Sequence, residues 1–175
     1  MIERINVDDW QNQHGHIYRY ELARGLLRAN ETVLDAACGI GYGARIIAEK
    51  VAVEYIGADL IEPDEAFAEW GTFLSGINFD RWEPWFEWDV SVSFETLEHV
   101  QRPEVLAEIL KRAKRLIILS TPTRPTKHIN KYHLHDFTVE DVLSLFDDCR
   151  LVHIEDQPEE LSHIFVFEPP EKNVI

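Results

Sequence analysis

The sequence predicts an α/β fold in which a mostly parallel sheet is flanked by helices. Short apolar runs alternate with longer amphipathic runs, which is typical of repeated strand-helix-strand units. A turn rich in small residues follows the first of these apolar runs, as at the strand-to-helix junction of many such folds. With 175 residues, of which 45% are hydrophobic and 28% charged, the chain has the size and composition of one globular domain.

The first 80 residues begin with helical periodicity and continue with apolar runs separated by small or polar residues. Pro63 suits the first turn of a helix, because a proline lacks the amide hydrogen that this position leaves unpaired. Helices are predicted at residues 14–27, 44–50 and 63–73. Strands are predicted at 31–35, 53–58 and, from a weaker pattern, 77–79.

The second half of the chain continues the alternation. Thr138 is predicted to cap a helix that runs through Leu145, because Asp141 stands three residues after it. A second amphipathic helix is predicted at residues 103–114. Strands are predicted at 89–94, 116–120, 151–155 and 164–167.

Composition excludes several classes of protein. Lys and Arg number 17 against 32 Asp and Glu, so the formal net charge of −15 disfavours nucleic-acid partners. The two cysteines, Cys38 and Cys149, are too few and too widely spaced for a disulfide framework or a zinc knuckle. The N-terminal residues do not form a secretory leader, and no apolar run is long enough to cross a membrane. We therefore expect a cytoplasmic protein without a membrane anchor.

The small-residue turn after the first predicted strand indicates a nucleotide-like pocket. Such a turn brings backbone amides and a helix N-terminus close to a ligand. Gly39, Gly41 and Gly43 are spaced by two, unlike the dinucleotide fingerprint, which disfavours NAD and favours S-adenosylmethionine. Asp59 lies 24 residues after Asp35 and is the predicted ribose ligand. The alternative is that these glycines only let the strand and helix pack together.

Acidic and imidazole side chains directly follow the fourth predicted strand. In a helical turn, the spacing of Glu95, Glu98 and His99 would place all three on one face. Two carboxylates and an imidazole suit Mg²⁺, Mn²⁺ or Fe²⁺. His133 is the predicted fourth metal ligand, because its loop follows strand five at the same sheet edge, and His135 is the second choice. Two alternatives remain: a capped helix start, or a metal-free site in which His99 or a glutamate is the general base.

Three segments of the chain resemble class I S-adenosylmethionine-dependent methyltransferases. They are residues 33–43, 93–100 and 132–138. The last two are similar to motifs of small-RNA 2′-O-methyltransferases and ubiquinone-biosynthesis O-methyltransferases, in which a metal holds hydroxyl oxygens of the acceptor. The resemblance implies a Rossmann-like, seven-stranded sheet with helices on both faces and an antiparallel last strand. It also implies S-adenosylmethionine as cofactor, over the carboxyl ends of strands one, two and four.

The same resemblance implies roles for individual residues. The cofactor-binding set would be Arg19, Tyr20, Asp35, Ala37, Cys38, Gly39, Gly41, Asp59, Leu60, Asp80 and Phe94. Within it, Arg19 or Tyr20 would lie near the methionine carboxylate and Asp80 near the adenine amino group. His16 and Tyr18 would face the acceptor. The alternative for Asp80 is a residue of a solvated turn. The alternative for the N-terminal helix is that its tyrosines pack on the sheet while Arg19 forms an ion pair at the surface.

Two positions depart from the family pattern. Ala37 replaces the first glycine of the turn, and a glycine pair expected before strand five is absent from residues 110–115. An alanine is small enough to keep the turn, but it could weaken affinity for the cofactor.

Together these observations predict residues 1–30 as a helical segment covering the cofactor and residues 31–175 as the catalytic core. The predicted activity is divalent-metal-assisted methylation of a hydroxyl on a small molecule or sugar. Glu95 and His99 are the predicted catalytic residues, and Glu95, Glu98, His99 and His133 the metal ligands. The alternatives are RNA 2′-O-methylation and a catalytically silent binding partner. A homodimer is considered, since a second subunit could enclose the acceptor.

Overall fold

Strands and helices alternate along the chain in the computed structural model, which describes residues 5–171. The strands of this region are β1 (Thr32–Ala36), β2 (Glu54–Ala58), β3 (Thr72–Leu74), β4 (Val90–Phe94), β5 (Leu116–Pro122), β6 (Arg150–Gln157) and β7 (Ser162–Glu168). Its α-helices are α1 (His14–Leu26), α2 (Tyr42–Ala48), α3 (Pro103–Leu110) and α4 (Val139–Leu145). Short 3-10 turns occur at Trp10–Asn12, Ala68–Trp70 and Pro158–Glu160.

All seven strands form one sheet in the order β3-β2-β1-β4-β5-β7-β6. The first five strands pair in parallel, whereas β7 is antiparallel to both of its neighbours. The carboxyl ends of β1, β2 and β4 consequently lie side by side at one edge. The predicted α/β class, with a mostly parallel seven-stranded sheet and an antiparallel last strand, is confirmed.

Alternate residues of the central strands face two separate apolar layers. Val33 and Val90 pack in a cluster with residues of α1 and α2, whereas Leu34 packs in a cluster with α3 and α4. Every residue of β4 and β5 is buried, as expected of strands covered by helices on both sides. The helices therefore occupy both faces, as predicted.

The chain between β2 and β3 differs from the prediction. The helix predicted at 63–73 is absent; this stretch contains the turn Ala68–Trp70 and then β3. Gly71 is extended, and a Cβ there would lie 2.7 Å from the Tyr55 ring, so the glycine permits close approach to β2. The strand predicted at 77–79 was also wrong: β3, five residues earlier, is the strand that pairs with β2 at this edge of the sheet.

The N-terminal helix packs directly on the core. α1 begins at His14 as predicted, and Gly43 of α2 has no Cβ where the Tyr20 ring lies against it. The predicted cofactor-covering segment (residues 1–30) and the predicted catalytic core (residues 31–175) both extend beyond the described residues. Residues 1–4 of the first and 172–175 of the second lie outside them. Within residues 5–171, none of the helices has the length and apolar character needed to cross a membrane.

Candidate functional site

A cavity of about 950 Å³ opens where β1, β2 and β4 end. Its size is at the upper end of the ~300–1,000 Å³ typical of small-molecule sites. Thirteen of the predicted site residues line it: His16, Tyr20, Ala37, Cys38, Gly39, Asp59, Leu60, Asp80, Phe94, Glu95, Glu98, His99 and His133. Tyr18, Arg19, Asp35 and Gly41 are not among the lining residues.

The turn after β1 is held by the acidic residue that follows β2. Gly39 has a φ of 59°, and its amide donates a hydrogen bond to Oδ2 of Asp59 at 2.8 Å. The other carboxylate oxygen of Asp59 accepts from the amide of Ile61 at 3.1 Å. Ala37 also has a positive φ, 64°, so the backbone keeps the glycine-like turn despite its methyl group. The turn and the acid thus form one wall of the cavity.

Asp35 lies behind this wall rather than in it. Its carboxylate is fully buried, and Oδ2 accepts hydrogen bonds from the hydroxyls of Tyr20, at 2.9 Å, and Tyr55. Burial raises the pKa of Asp35 to about 7, although the two tyrosine hydrogen bonds oppose this shift. Burial and the neighbouring Asp35 also raise the pKa of Tyr20 and that of Tyr55, so both remain donors. The group ties α1 and β2 to β1.

This raised pKa predicts a pH-dependent stability. Between pH 4 and 7 folded Asp35 keeps a proton that the unfolded chain releases, so its contribution to stability falls as pH rises through this window. Asp35→Asn removes the effect. We subtract the unfolding free energy of wild type from that of Asp35→Asn at each pH. This difference should be at least about 1 kcal/mol larger at pH 7.5 than at pH 4.5. Urea unfolding across this range checks it, and parallel pH profiles for the two proteins would contradict it.

Asp80 combines a place in the cavity lining with a structural contact. One oxygen of its carboxylate accepts the amide of Arg102 at 2.8 Å, immediately before α3 begins. Asp80 is therefore more than a solvated residue of a turn, and one of its oxygens already accepts a structural hydrogen bond. Its predicted contact with the adenine amino group stays a prediction.

Glu98, His99 and His133 converge at the cavity, and each offers a ligand atom within 4.8 Å of the others. Oε1 of Glu98 is 3.8 Å from Nε2 of His99, and the two imidazole rings are 4.7 Å apart at an interplanar angle of 86°. Glu98 is fully buried; its Oε2 accepts from the Thr121 hydroxyl at 2.9 Å, whereas Oε1 has no hydrogen-bond partner within the described part of the chain. Burial, and then the nearby Glu95, raise the pKa of Glu98 well above its usual range.

The hydrogen bonds of both imidazoles fix the same tautomer. Nδ1 of His99 lies 3.2 Å from the carbonyl oxygen of Tyr132, which can only accept, so Nδ1 carries the proton. The side-chain oxygen of Asn130 accepts from the Tyr132 amide, so its Nδ2 donates to Nε2 of His133 at 2.9 Å. Nδ1 of His133 then donates to the Thr126 hydroxyl at 2.7 Å. In this tautomer Nε2 of each ring is the acceptor nitrogen, and that of His133 is already used to accept from Asn130.

Glu95 does not join this group, contrary to the prediction for a four-residue metal set. The segment after β4 is an irregular turn instead of a helical one, and Glu95 itself has a φ of 51°. Its carboxylate accepts from the hydroxyls of Ser120, at 2.8 Å, and Ser162, at 2.9 Å. Nη1 of Arg19 is 3.3 Å away. Burial raises the pKa of Glu95, while the Arg19 charge opposes the shift.

The predicted site residues of α1 lie in different places: buried behind the cavity, exposed at the surface, or in the cavity lining. Arg19 is completely buried, where Nε donates to Oε1 of Gln157 at 2.7 Å, so it is neither a surface pair nor part of the cavity lining. Tyr18 is 43% exposed, away from the cavity, and its hydroxyl interacts with Glu155. His16 lines the cavity, and burial together with the Arg19 charge lowers its pKa to about 3. His16 is therefore a neutral side chain near neutral pH.

Of the two candidate histidines after β5, His133 lies at the cavity. His135 lies beyond it, with Nε2 3.0 Å from the carbonyl oxygen of Val100, beside a separate shallow pocket. The amide of Leu134 donates to the carbonyl of Glu98 at 2.7 Å, which holds the histidine segment against the turn after β4.

Sequence reasoning missed the side chains that hold the site residues in place. Asn130 and Tyr132 were within reach of inference, because they stand beside His133 in the predicted loop. Tyr55, Thr121 and Ser162 gave no local signal, since each becomes relevant only through a distant partner.

The comparison with protein families identifies the chain. Residues 14–151 match the model described as a methyltransferase domain. The chain belongs to the methyltransferase domain family. A relative in Mycobacterium tuberculosis strains CDC 1551 and H37Rv, named a probable S-adenosylmethionine-dependent methyltransferase, is 26% identical over 158 residues. The match covers 83% of this chain and 56% of the relative, so the chain spans just over half of that protein's length.

Solved structures share the fold of this methyltransferase domain. Magnesium protoporphyrin IX methyltransferase from Synechocystis PCC 6803, with bound SAH, has a TM-score of 0.70 at 16% identity, over 97% of this chain and 90% of that one. A 1,6-didemethyltoxoflavin-N1-methyltransferase from Burkholderia thailandensis gives 0.69 at 14% identity, over 94% and 85%. The 4+2 cyclase SpnF gives 0.71 at 12% identity, over 93% and 83%. The fold therefore occurs with more than one chemistry, and the reaction has to be argued from the site.

Proposed function

We propose that this domain transfers the methyl group of S-adenosylmethionine to a hydroxyl oxygen of a small molecule or sugar, assisted by a divalent cation. The observation that carries the proposal is the group formed by Glu98, His99 and His133, which shares one cavity with the Gly39–Asp59 wall. Family membership supports the methyl donor, and the group at the other side of the cavity supports the acceptor chemistry.

The cavity suits the methyl donor at the end where β1 and β2 finish. A ribose offers two hydroxyl donors, and Asp59 is a carboxylate at the end of β2 that lines the cavity. At Gly39 the backbone has no side chain of its own, and a Cβ there would meet no described atom within 4 Å, so this position is open to a ligand. Leu60 and Phe94 supply apolar surface to the same lining. These residues fit an adenosine-type ligand.

The Glu98 group suits a cation such as Mn²⁺, Fe²⁺ or Zn²⁺. Two imidazole nitrogens and one carboxylate oxygen are ligands that these ions accept. A cation at Nε2 of His133 would replace the hydrogen bond that this atom accepts from Asn130. Ligand atoms of one ion stand roughly 3–4 Å apart. Oε1 of Glu98 and Nε2 of His99 are 3.8 Å apart, and the three residues offer ligand atoms within 4.8 Å of one another. Oε1 of Glu98 is buried and has no hydrogen-bond partner among residues 5–171, so a bound cation would supply the partner that this oxygen lacks there. Glu95 is engaged elsewhere, so three residues would hold the ion.

A bound cation supplies Lewis acidity that lowers the pKa of an acceptor hydroxyl. The carbonyl of Tyr132 keeps the proton of His99 on Nδ1, so Nε2 points its lone pair toward the reaction side. Thr121 orients the Glu98 carboxylate from behind. Methyl transfer then requires an acceptor oxygen in line with the sulfonium methyl and the exclusion of water from between them.

Charge and relatives both favour a small acceptor over RNA. The chain has a net charge of −15, which opposes binding to a phosphate backbone. Two solved structures with this fold are named for methylation of a porphyrin and of a toxoflavin precursor, both small molecules.

Calorimetry with S-adenosylhomocysteine and Mn²⁺ tests the two halves of the proposal separately. We expect both to bind wild type. His133→Ala should weaken Mn²⁺ binding at least about tenfold, as expected for loss of a metal ligand, while leaving S-adenosylhomocysteine binding unchanged. His135→Ala, two residues away but directed at Val100, is the matched control and should bind Mn²⁺ like wild type.

Each failure has a separate meaning. If wild type does not bind S-adenosylhomocysteine, the proposed methyl transfer is contradicted. Mn²⁺ binding that is absent, or insensitive to His133→Ala, would contradict the metal and leave His99 as the candidate general base.

A further inference from the structure

The side chain of Asn130 places a hydrogen-bond donor at the atom through which His133 would bind a cation. Nδ2 of Asn130 donates to Nε2 of His133 at 2.9 Å, and both residues line the cavity. Ligand atoms of one ion stand roughly 3–4 Å apart, so Nδ2 is as close to Nε2 as another ligand of the same ion would be. The donor therefore lies at the edge of the proposed cation site.

Three hydrogen bonds hold Asn130 in this position. Its side-chain oxygen accepts from the amide of Tyr132 at 2.9 Å, and its backbone amide donates to the carbonyl oxygen of Thr126 at 2.8 Å. Its carbonyl oxygen accepts from the amide of His133 at 3.2 Å. The bond from Tyr132 also fixes which end of the side-chain amide faces the imidazole. These three bonds do not use Nδ2, so they can persist when the partner of Nδ2 changes.

The hydrogen bond from Asn130 and a cation compete for one lone pair. Nε2 of His133 cannot accept from Nδ2 and ligate an ion at the same time. When Nε2 ligates, the N–H group of Asn130 is left beside the ion, because the side-chain oxygen stays on Tyr132. An oxygen that is held by the same ion would then lie within reach of this donor.

The charge of the cavity lining gives such a donor a use. Seven of the lining residues are Asp or Glu, and within residues 5–171 no Lys or Arg is among them. A hydroxyl oxygen that loses its proton there meets no positively charged Lys or Arg side chain in the described lining. Hydrogen bonds to an ionised oxygen are roughly twice as strong as those between neutral groups. A neutral amide donor next to the cation site is therefore well placed to stabilise this oxygen.

We propose that Asn130 binds the acceptor, with Nδ2 donating to the hydroxyl oxygen that receives the methyl group. This inference rests on the proposed function and adds to it a residue that positions the acceptor oxygen and favours the loss of its proton. The hydrogen bond to His133 then belongs to the protein without a cation.

Asn130→Ser removes the donor and keeps the turn. A serine hydroxyl can accept from the amide two residues later, as the Asn130 side chain does from Tyr132, but it has no group at the position of Nδ2. Mn²⁺ should bind this variant at least as tightly as wild type, because Nε2 of His133 no longer gives up a hydrogen bond. The diol 4-nitrocatechol should bind at least about tenfold more weakly, as expected for loss of a hydrogen bond to a charged oxygen.

Calorimetry measures both affinities, that of 4-nitrocatechol with the protein saturated with S-adenosylhomocysteine and Mn²⁺. The absorbance of 4-nitrocatechol reports its ionisation, so a pH titration of the bound diol gives a second readout. The midpoint of this titration should lie at higher pH in Asn130→Ser than in wild type, because the ionised oxygen has lost a donor.

Asn78→Ser is the matched control. The side-chain oxygen of Asn78 accepts from the amide of Asp80, also two residues later, at 3.0 Å, and Asn78 lines the same cavity. It lies at the other end, where the amide of Ile77 donates to the carbonyl oxygen of Asp59. Its replacement alters the same kind of turn away from His133 and should leave both affinities unchanged.

Three results would overturn the inference: an unchanged affinity for 4-nitrocatechol in Asn130→Ser, an unchanged ionisation midpoint, or no binding of this diol to wild type. Weaker Mn²⁺ binding in Asn130→Ser would also overturn it, because Asn130 would then serve to hold His133 in place. If S-adenosylhomocysteine or Mn²⁺ does not bind wild type, the proposed function is contradicted instead.

Discussion

Glu98→Gln is expected to abolish methyl transfer and, at the same time, to stabilise the metal-free fold. Glu98 is fully buried, its Oε1 has no hydrogen-bond partner in residues 5–171, and its raised pKa means that folding disfavours its ionised form. A glutamine keeps the shape and can still accept from Thr121, but it removes the buried ionisable group and the anionic ligand. We expect at least about a hundredfold loss of transfer to a diol such as 4-ethylcatechol, equivalent to about 2.7 kcal/mol in the barrier.

Two measurements on the same protein distinguish a functional Glu98 from a structural one. Urea unfolding at pH 8 should give Glu98→Gln an unfolding free energy equal to or above that of wild type, because functional groups commonly cost stability. Glu104→Gln, an exposed carboxylate in the first turn of α3, is the control and should leave transfer unchanged. A variant that loses stability and activity together would show that Glu98 serves mainly to hold the fold.

Arg19→Met is expected to destabilise the domain by about 3–5 kcal/mol, the usual range when one partner of a buried ion pair is removed. Its guanidinium is completely buried and lies between Glu95, Glu160 and Gln157. Methionine keeps most of the apolar stem but leaves the partly buried Glu95 carboxylate without its cation. The change should be visible as a lower midpoint in urea unfolding.

A double-mutant cycle tests whether the ion pair is the cause. Glu95→Gln combined with Arg19→Met should recover part of the lost stability, since the buried charge is then removed from both sides. Arg24→Met on the same helix is the matched control, because this arginine is partly exposed and pairs with Glu21 at 3.6 Å. A loss below about 1 kcal/mol for Arg19→Met, or no recovery in the double variant, would contradict this account.

The parts of the fold that could be predicted are those that a local sequence pattern specifies. β1, β4 and β5 are short apolar runs bounded by polar residues, and they occur within two residues of their predicted limits. The α4 cap follows from local spacing as well: Thr138 accepts from the Asp141 amide at 3.1 Å, and the Asp141 carboxylate accepts in return. The edge strand β3 was not predictable in this way, because its identity depends on pairing with β2 and on the absence of a side chain at Gly71.

The candidate site shows the same division. Spacing in the segment after β4 predicted Glu98 and His99, and the position of the loop after β5 predicted His133; the fold brings these three together from two segments. The spacing argument does not hold for Glu95, because the direction of its side chain is set by a positive φ and by Ser162, a residue 67 positions later in the chain. Neither the positive φ of Glu95 nor its hydrogen bond from Ser162 on the last strand can be inferred from the local sequence.

The hydrogen bond between Nδ1 of His99 and the carbonyl of Tyr132 has a consequence for how the domain tolerates change. Surface connections usually accept insertions, since their cost in chain entropy grows slowly with length. Here the carbonyl that orients one imidazole belongs to the residue immediately before the other imidazole. Adding or deleting a residue between β5 and His133 would disturb both histidines in a single step, so the length of this connection is constrained as strictly as the identity of the histidines themselves.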